Sequence, residues 1–366
     1  MHRRGFLQAS AAAAASMVLK VRDAQSAVEG GRAEPQIPRW RGFNLIALLG
    51  PKPHAGYHEF DFHWTAKNGF NFVRLPCSYW VWSSPESWET IDETKLRPLD
   101  QAIEFGRQYG IHINLCLHRI PGYCVNASQS EPYQLFGSSR EGSERALRAA
   151  AYHWRYLAAR YRQVPSERLS FDLFNEPPFM TDQRRYVEIA KTLIAAIRDV
   201  SPGRLIFADG ADLGQTPVMG LADQGIVQST RGYLPKMVSH YKATWVPKSE
   251  FESFAVPTWP MTDRHGLVWD HETLRRKLFV PWQPLANLGV PIQVGEWGCY
   301  NKTPHAVCLA WMRDLLALWK QAGWGWALWN LRGAFGVLDS GRTDANLEYR
   351  DGHWVDRKML DLLLAN

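Results

Sequence analysis

The segment LSFDLFNEPP, residues 169–178, is an apolar run that stops abruptly at a carboxylate. The run up to Phe174 is typical of a buried β-strand, and Asn175 and Glu176 follow it directly. The two prolines that come next end the strand, because proline has no backbone N–H for a sheet ladder. An unpaired charge at the end of a buried strand is costly, so the segment indicates that the Glu176 carboxylate has a functional role.

Strand-like runs of this kind recur along the chain, and amphipathic helical patterns lie between them. The runs cover residues 41–46, 70–76, 111–118, 169–176, 204–210, 237–244, 291–298 and 326–333. The amphipathic segments cover residues 97–109, 143–162, 182–200, 272–288 and 304–321. Alternating strands and helices predict a parallel sheet, and eight such units predict that the sheet closes into a barrel. We therefore expect an α/β protein with a single (β/α)8 TIM barrel over residues 39–366.

A second glutamate stands at the end of a predicted strand, Glu296 in VGEWG of the seventh run. The carboxyl ends of the strands of such a barrel meet at one mouth, so Glu176 and Glu296 are predicted to lie there together. Glycoside hydrolysis needs two such carboxyl groups, one that donates a proton and one that attacks or stabilises the sugar cation. The alternative is that each glutamate forms a salt bridge that closes the end of the barrel.

At these residues the chain resembles glycoside hydrolase family five, and the resemblance extends from the first predicted strand to the eighth. The family's Asn-Glu-Pro step at the end of strand four corresponds to Asn175-Glu176-Pro177, which implies that Glu176 is the acid/base. The glutamate that ends strand seven implies that Glu296 is the nucleophile of a retaining mechanism. The resemblance also implies a set of residues around the sugar: Arg74 in VRLP, His118 in LCLHR, Asn175, His240 on strand six and Trp329 on strand eight.

The sixth predicted strand departs from the family pattern. Many members read His-x-Tyr there, with the tyrosine donating to the nucleophile, whereas this chain reads His240-Tyr241-Lys242. Side chains alternate along a strand, so Lys242 shares the face of His240 and is predicted to point toward the pocket. A β-bulge would instead turn Lys242 to solvent and bring Tyr241 inward. The sequence leaves both interpretations open.

Aromatic residues are abundant, with 17 tryptophans, and several fall in loops predicted at the barrel mouth. Tyr123 lies after the third predicted strand, and Trp245 and Trp259 lie in the long loop after the sixth. Flat aromatic faces suit the CH faces of sugars, and long loops in compact domains are usually functional. We expect these three residues to line a sugar-binding cleft, and the alternative is local packing.

Together these features predict a retaining β-glycoside hydrolase that cleaves a β-linked glucan, with β-1,4-glucan as the expected substrate. The alternatives are a β-mannan hydrolase, an exo-acting enzyme on short oligosaccharides and a non-catalytic carbohydrate-binding barrel. The sequence has no glycine-rich dinucleotide loop, no P-loop and no cysteine or histidine cluster spaced for zinc, so we expect no cofactor and no metal. The expected partner is a β-linked oligo- or polysaccharide, bound by a monomer.

The first 26 residues resemble a bacterial twin-arginine export signal. Arg3 and Arg4 precede an alanine-rich apolar stretch that is too short to span a bilayer and is followed by small residues. The alternative is an N-terminal helix that the protein retains. Residues 27–38 are then a flexible lead-in to the barrel. The mature protein is expected in the periplasm or outside the cell, without a membrane anchor once the signal is removed.

The charge of the chain gives no reason to expect a nucleic-acid partner. The formal net charge is +6, and residues 1–26 carry four basic side chains and one acidic one, so +3 remains after removal of the signal. No run of basic residues accompanies this small excess, whereas surfaces that bind nucleic acid concentrate lysine and arginine.

Replacing both Arg3 and Arg4 by lysine is expected to trap the precursor in the cytoplasm. The export receptor reads the paired guanidinium groups, and lysine does not reproduce their planar hydrogen-bonding geometry. Immunoblots of cell fractions measure the outcome, with Lys20→Arg as a control substitution in the same segment. Wild-type amounts of the double variant outside the cytoplasm would show that the twin arginines are not the export signal.

Overall fold

The computed structural model describes residues 35–50, 56–126, 131–246 and 255–366. The predicted export signal and residues 27–34 of the lead-in lie outside the described residues. Residues 35–40 form neither helix nor strand and lead into the first barrel strand. Within the described ranges, no helix combines the length and the apolar character needed to cross a membrane.

Eight parallel strands close into a barrel. They are β1 (Arg41–Asn44), β2 (Phe72–Ser78), β3 (His112–Arg119), β4 (Leu169–Asp172), β5 (Ile206–Asp209), β6 (Val227–Gly232), β7 (Ile292–Trp297) and β8 (Gly325–Leu328). Each strand pairs with its neighbours in chain order, and β8 pairs with β1 to close the ring. The predicted (β/α)8 TIM barrel is therefore confirmed.

Helices surround the barrel and connect its strands. The longer ones are α1 (Glu59–Lys67), α2 (Arg97–Tyr109), α3 (Arg140–Arg160), α4 (Arg184–Arg198), α5 (His305–Ala322) and α6 (Arg357–Leu364). Shorter helical turns cover Tyr79–Val81, Glu93–Leu96, Ala211–Gly214, Met219–Gln224, Lys236–Ser239, His271–Leu274, Arg275–Phe279, Val280–Trp282 and Gln283–Asn287. Two small hairpins pair Met261–Thr262 with Val268–Trp269 and Leu347–Arg350 with His353–Asp356.

Helix α2 shows how local sequence sets an element's bounds. Pro98 stands in its first turn, where a missing backbone N–H costs nothing, and Gly110 ends it with a left-handed φ of 69°. One face of the helix is buried, and Gly106 lets it approach the Ile113 side chain on β3 closely. The predicted bounds, residues 97–109, agree with the structure.

The side chains inside the barrel change from apolar to charged within two residues along a strand. An apolar cluster fills the amino ends of the strands, which we call the barrel floor. Its members are Trp40, Phe72, Phe207, Val227 and Ala327. Residues two positions apart on a strand point to the same face. Arg74 therefore lies above Phe72, and Asp209 lies above Phe207, and both are buried. The floor closes the barrel beneath a charged layer.

The predicted sixth strand, residues 237–244, is wrong. The sixth barrel strand is β6, which lies earlier in the chain and reads VQSTRG. The residues taken for a strand begin instead with the helical turn Lys236–Ser239, which follows Pro235. Their apolar spacing comes from burial around this turn, where Val238 is inaccessible to solvent, and not from strand alternation.

The polar character of β6 explains why its sequence is not typical of a buried strand. All six of its residues are buried. Gln228 donates to and accepts from the backbone of Val218, and the Thr230 hydroxyl donates to the carbonyl of Gly214 at 3.1 Å. Buried polar groups are tolerated when they are hydrogen-bonded in this way. A search for apolar runs cannot find such a strand.

Gly42→Ala is expected to destabilise the barrel. A Cβ atom at Gly42 would lie 1.7 Å from the backbone carbonyl oxygen of Phe72, because β1 and β2 approach closely there. A backbone oxygen cannot rotate away, so the free energy of unfolding should fall by about 3 kcal/mol or more, the upper range of overpacking. Denaturant titration of the purified protein measures this loss.

Gly203→Ala is the matched control, because a Cβ atom there meets nothing within 4 Å. That variant should be neutral or slightly more stable, since alanine restricts the unfolded chain. A Gly42→Ala protein as stable as the control would contradict the close approach of the two strands.

Candidate active site

A cavity of about 610 Å³ opens at the carboxyl ends of the barrel strands. Side chains from strand ends and from the loops that follow them line it. Its charged and aromatic lining residues are His118, Glu176, Arg231, Tyr233, Lys236, His240, Trp245, Glu296, Trp329 and Phe335. The two glutamates that the sequence predicts at one mouth therefore lie in one cavity.

Glu296, on β7, is buried, and both of its carboxylate oxygens accept hydrogen bonds. The Arg74 guanidinium on β2 donates to Oε1 at 2.5 Å, and the Tyr233 hydroxyl donates to Oε2 at 3.3 Å. Arg74 is itself held by Asp172, with 2.8 Å between Nε and Oδ2. The arginine thus orients the Glu296 carboxylate and compensates its charge.

Glu176 follows β4 and has an uncommon backbone conformation. Its φ is 49°, in the left-handed region that residues other than glycine seldom adopt. Two side chains hold this backbone in place. The Glu176 N–H donates to Asp209 Oδ2 at 2.8 Å, and the Tyr123 hydroxyl donates to the Glu176 carbonyl at 2.6 Å. The side chain of Glu176 lines the cavity.

The Glu176 carboxyl group keeps its proton up to near-neutral pH. Burial raises its pKa to about 7, and the negative charge of Glu296 adds to the increase. Arg231 on β6 opposes the increase, because its Nε donates to Glu176 Oε1 at 3.0 Å. A pKa near the working pH is what a general acid or base requires.

Asn175 connects the two arginines of the site. Its Oδ1 accepts from Arg74 Nη2 at 3.0 Å and from Arg231 Nη2 at 2.9 Å. Guanidinium groups only donate, so these contacts identify the oxygen of the Asn175 amide. The amide nitrogen Nδ2 is buried and has no hydrogen-bond partner among the described residues. Asn175 is fully buried and is not among the residues that line the cavity, so it supports the site from the protein side.

Three of the residues predicted around the sugar, His118, His240 and Trp329, line the cavity. The two histidines are neutral. The rings of His118 and Trp329 have centroids 6.1 Å apart and an interplanar angle of 25°. Burial lowers the pKa of His118 to about 3 and that of His240 to about 4. Ser239 fixes the His240 ring, with 2.8 Å between Oγ and Nδ1. The imidazoles therefore add no positive charge near the two glutamates at working pH.

Trp245 lines the cavity as predicted, at its outer rim. Its side chain is 57% exposed, and its ring centroid lies 6.1 Å from that of Phe335. Exposed aromatic surface beside a polar cavity is suited to the CH faces of a sugar.

Tyr123 and Trp259 do not line the cavity, unlike the prediction. Tyr123 is buried against the backbone of Glu176, so it supports the site from the protein side. The indole of Trp259 donates to Asp314 Oδ2 at 2.8 Å and packs on the surrounding core. Local packing, the alternative reading of these aromatics, therefore describes both residues.

The inward placement of Lys242 is wrong, whereas the second interpretation is right that Lys242 is exposed and Tyr241 is buried, although no β-bulge causes it and Tyr241 does not reach the pocket. Lys242 is exposed, and its ammonium lies 5.1 Å from the ring centroid of Tyr241. Tyr241 is buried, and neither residue lines the cavity. Strand alternation does not apply, because the segment leaves the helical turn Lys236–Ser239 and Lys242 has a φ of 60°. His240 reaches the cavity from this turn and not from strand six.

The sequence pattern does not reveal three residues of the site, Asp209, Arg231 and Tyr233. Asp209 ends β5, Arg231 lies in β6, and Tyr233 follows β6 directly. The residues RGY at 231–233 have the spacing of the family's His-x-Tyr, with arginine in place of histidine. Tyr233 is the hydroxyl donor to Glu296, so tyrosine spacing was the signal that could have located the strand.

The arrangement can perform acid–base and nucleophilic chemistry on one substrate bond. One carboxyl group holds a proton near neutral pH, and the other is paired with a buried arginine in the same cavity. Such a pair can protonate a leaving oxygen and attack or stabilise the carbon from which it departs. Within the described ranges, no group of three or more histidine, cysteine, aspartate or glutamate residues is arranged to hold a metal ion.

Comparison with known proteins agrees with this chemistry. The chain is 24% identical over 297 residues to Endoglucanase C of Acetivibrio thermocellus, a match that covers 75% of this chain and 83% of the relative. It is 27% identical over 200 residues to Cellodextrinase A of Ruminococcus flavefaciens, covering 52% of this chain and 55% of the relative.

A solved structure and a family match extend the similarity over most of the chain. A crystal structure described as a glycoside hydrolase superimposes with a TM-score of 0.84 at 34% identity, covering 89% of this chain and 99% of the other. Residues 36–334 match the family Cellulase (glycosyl hydrolase family 5). The chain therefore belongs to glycosyl hydrolase family 5 and is a glycoside hydrolase.

Proposed function

We propose that the protein is a retaining β-glucan hydrolase that cleaves β-1,4-linked glucan within the chain, with Glu176 as acid/base and Glu296 as nucleophile. One observation carries the proposal. Glu176 holds a proton up to about pH 7, while Glu296 in the same cavity is paired with Arg74. Double displacement requires one carboxyl group that can donate a proton and a second one that can attack the anomeric carbon.

In the first half of the reaction, Glu176 donates its proton to the glycosidic oxygen while Glu296 forms a bond to the anomeric carbon. The leaving sugar departs as an alcohol, and a glycosyl-enzyme ester remains. In the second half, the Glu176 carboxylate takes a proton from water, which attacks the anomeric carbon and releases Glu296. Arg231, 3.0 Å from Glu176, stabilises the carboxylate that exists between the two halves.

The other lining residues supply the substrate contacts. Trp329 offers an aromatic face for the sugar at the reacting bond, and Trp245 offers a second face at the rim. Asn175, which precedes the proposed acid, does not line the cavity and contacts the two arginines through its carbonyl oxygen.

Similarity to an endoglucanase over three quarters of the chain supports β-glucan as the substrate and internal cleavage as the mode of action. Similarity to a cellodextrinase supports a second candidate, an enzyme that acts on short oligosaccharides. A non-catalytic carbohydrate-binding barrel is not supported, because the chain belongs to a hydrolase family and has both carboxyl groups. Export by the twin-arginine route and action as a monomer are part of the proposal, and the sequence of residues 1–26 supports the former.

Wild-type protein is expected to release reducing sugar from soluble β-1,4-glucan. Glu296→Ala should abolish turnover on every substrate, because nothing replaces the nucleophile. Glu176→Ala should reduce turnover of glucan by roughly 10²–10⁴-fold, the usual contribution of a general acid. The loss should be smaller on aryl glycosides with good leaving groups, and added azide should partly restore activity.

A panel of β-glucans, mannans, xylans and aryl glycosides measures these effects, with the exposed Glu104→Ala on α2 as the control. If azide restores activity to Glu296→Ala and not to Glu176→Ala, then Glu296 is the acid/base and Glu176 is the nucleophile. Hydrolysis of mannan in preference to glucan would reassign the substrate, and a wild-type protein inactive on the whole panel would contradict the proposed function.

The first-formed product is expected to be the β-anomer, observed by ¹H NMR before mutarotation. Two displacements at one carbon retain its configuration, and retaining carboxyl pairs stand about 5–5.5 Å apart, compared with about 6.5–9.5 Å in inverting enzymes. An α-anomer as the initial product would exclude double displacement.

A further inference from the structure

Arg231 occupies a position where the family pattern has a histidine. Residues 231–233 keep the spacing of His-x-Tyr, and Tyr233 makes the tyrosine's contact with Glu296. The register of β6 with β7 places Arg231 directly opposite Glu296. This chain therefore has a permanently charged group where the family pattern has one that loses its charge near neutral pH.

The hydrogen-bonding capacity of Arg231 is used by the protein. Its side chain is 2% exposed. Nε donates to Glu176, Nη1 donates to Asp209 Oδ1 at 3.0 Å, and Nη2 donates to Asn175 at 2.9 Å. Nη2 also donates to the second oxygen of Asp209, and Nη1 contacts Ser229 Oγ at 3.1 Å. Because every nitrogen has a protein partner, the role of Arg231 concerns these groups and not a sugar hydroxyl.

Asp209 holds the guanidinium in one orientation through a two-point contact, which a flexible ammonium group could not provide. In that orientation Nε faces Glu176 at 3.0 Å and Nη2 lies 3.7 Å from Glu296. Asp209 also accepts from the backbone N–H of Glu176. The pair therefore fixes both the backbone and the carboxyl group of Glu176.

We propose that Arg231, locked by Asp209, is a positioning residue that orients the Glu176 carboxyl group and sets the alkaline limit of activity through its permanent charge. The proposal rests on the proposed function, in which Glu176 is the acid/base. Among the described residues, the pKa of Glu176 is shifted by Glu296, Arg231 and Asp209, and Tyr233 and Tyr123 also interact with this residue. Lys236, His118 and His240 line the same cavity. Arg231 is the cation that donates a hydrogen bond to Glu176, and it favours the ionised form of the carboxyl group.

The sign of the effect follows from this charge. Burial and the two neighbouring carboxylates raise the pKa of Glu176, and Arg231 limits the increase to about 7. Without the cation the pKa would be higher, so Glu176 would hold its proton to a higher pH. The alkaline limb of the kcat/KM profile, where the acid is lost, would then move to higher pH.

Two substitutions separate charge from orientation. Arg231→Lys keeps the positive charge but loses the two-point contact, so kcat should fall by about 10²-fold, the cost of a small misplacement, with KM changed less than about threefold. Its alkaline limb should stay within about 0.3 pH units of wild type. Arg231→Met removes the charge as well, so the limb should also rise by about one pH unit or more, the usual effect of an adjacent opposite charge.

Arg231→Met leaves Asp209 unpaired, so it is also made in an Asp209→Asn protein and compared with Asp209→Asn alone, because Asp209 itself raises the pKa of Glu176. The control is Arg204→Lys, a buried arginine that donates to the backbone carbonyls of Leu169 and Tyr161 and does not line the cavity. It should keep the wild-type kcat and pH profile. If neither methionine variant folds, Arg231→Lys decides, because unchanged kcat would overturn the positioning role.

A pH titration of the Glu176 carboxyl carbon by ¹³C NMR, without substrate, tests the charge effect independently of turnover. Its resonance is identified by its loss in Glu176→Gln. A higher titration midpoint in Arg231→Met than in wild type, or in the double variant than in Asp209→Asn, supports the proposal, and an unchanged midpoint in these comparisons overturns it. A change confined to KM would instead make Arg231 a substrate contact. A wild-type protein that hydrolyses no glycan would contradict the proposed function, whereas the titration would still report on Arg231.

Discussion

Two buried guanidinium groups, Arg74 and Arg231, balance the carboxyl groups at the barrel mouth, and the arrangement of the site depends on this balance. The carboxyl groups are Asp172, Glu176, Asp209 and Glu296. Two positive charges cannot compensate four negative charges in a buried layer, and an uncompensated charge there is costly. Bound protons reduce the excess, because burial raises the pKa of Asp172 to about 6 and that of Glu176 to about 7.

The proton on Glu176 is therefore a property of the whole layer. Asp172 and Asp209 do not line the cavity, yet both share the charge of the arginines that reach the two cavity glutamates. Arg74 and Arg231 donate to the same oxygen of Asn175, so a shift of one guanidinium group also displaces the acceptor of the other. The apolar floor lies beneath this charged layer. Because the floor has a low dielectric constant, the electrostatic interactions between the charged groups above it are strong.

The fold and the two cavity glutamates could be predicted because their signals are local. An apolar run that ends at Glu176 and another that ends at Glu296 identify strand ends, and barrel closure brings those ends together. The sixth strand could not be predicted, because its buried side chains are polar and their partners lie elsewhere in the chain. That one error raised an inward Lys242 as one of two interpretations, and it left Arg231 unrecognised as a residue of the site. An apolar pattern reports contact with the core, whereas a hydrogen-bonded interior leaves no such pattern.

Because Glu176 has a left-handed backbone, the protein gives up stability in order to orient the carboxyl group that we propose as its acid. A residue with a Cβ atom costs about 1–2 kcal/mol in this conformation, whereas glycine adopts it freely. The strain is maintained by Asp209 and Tyr123, which bind the Glu176 N–H and carbonyl and leave the backbone no relaxed alternative. Selection for heat resistance alone would therefore favour glycine at position 176 and eliminate this carboxyl group. Evolution toward a hotter habitat has to find its stability elsewhere in the barrel.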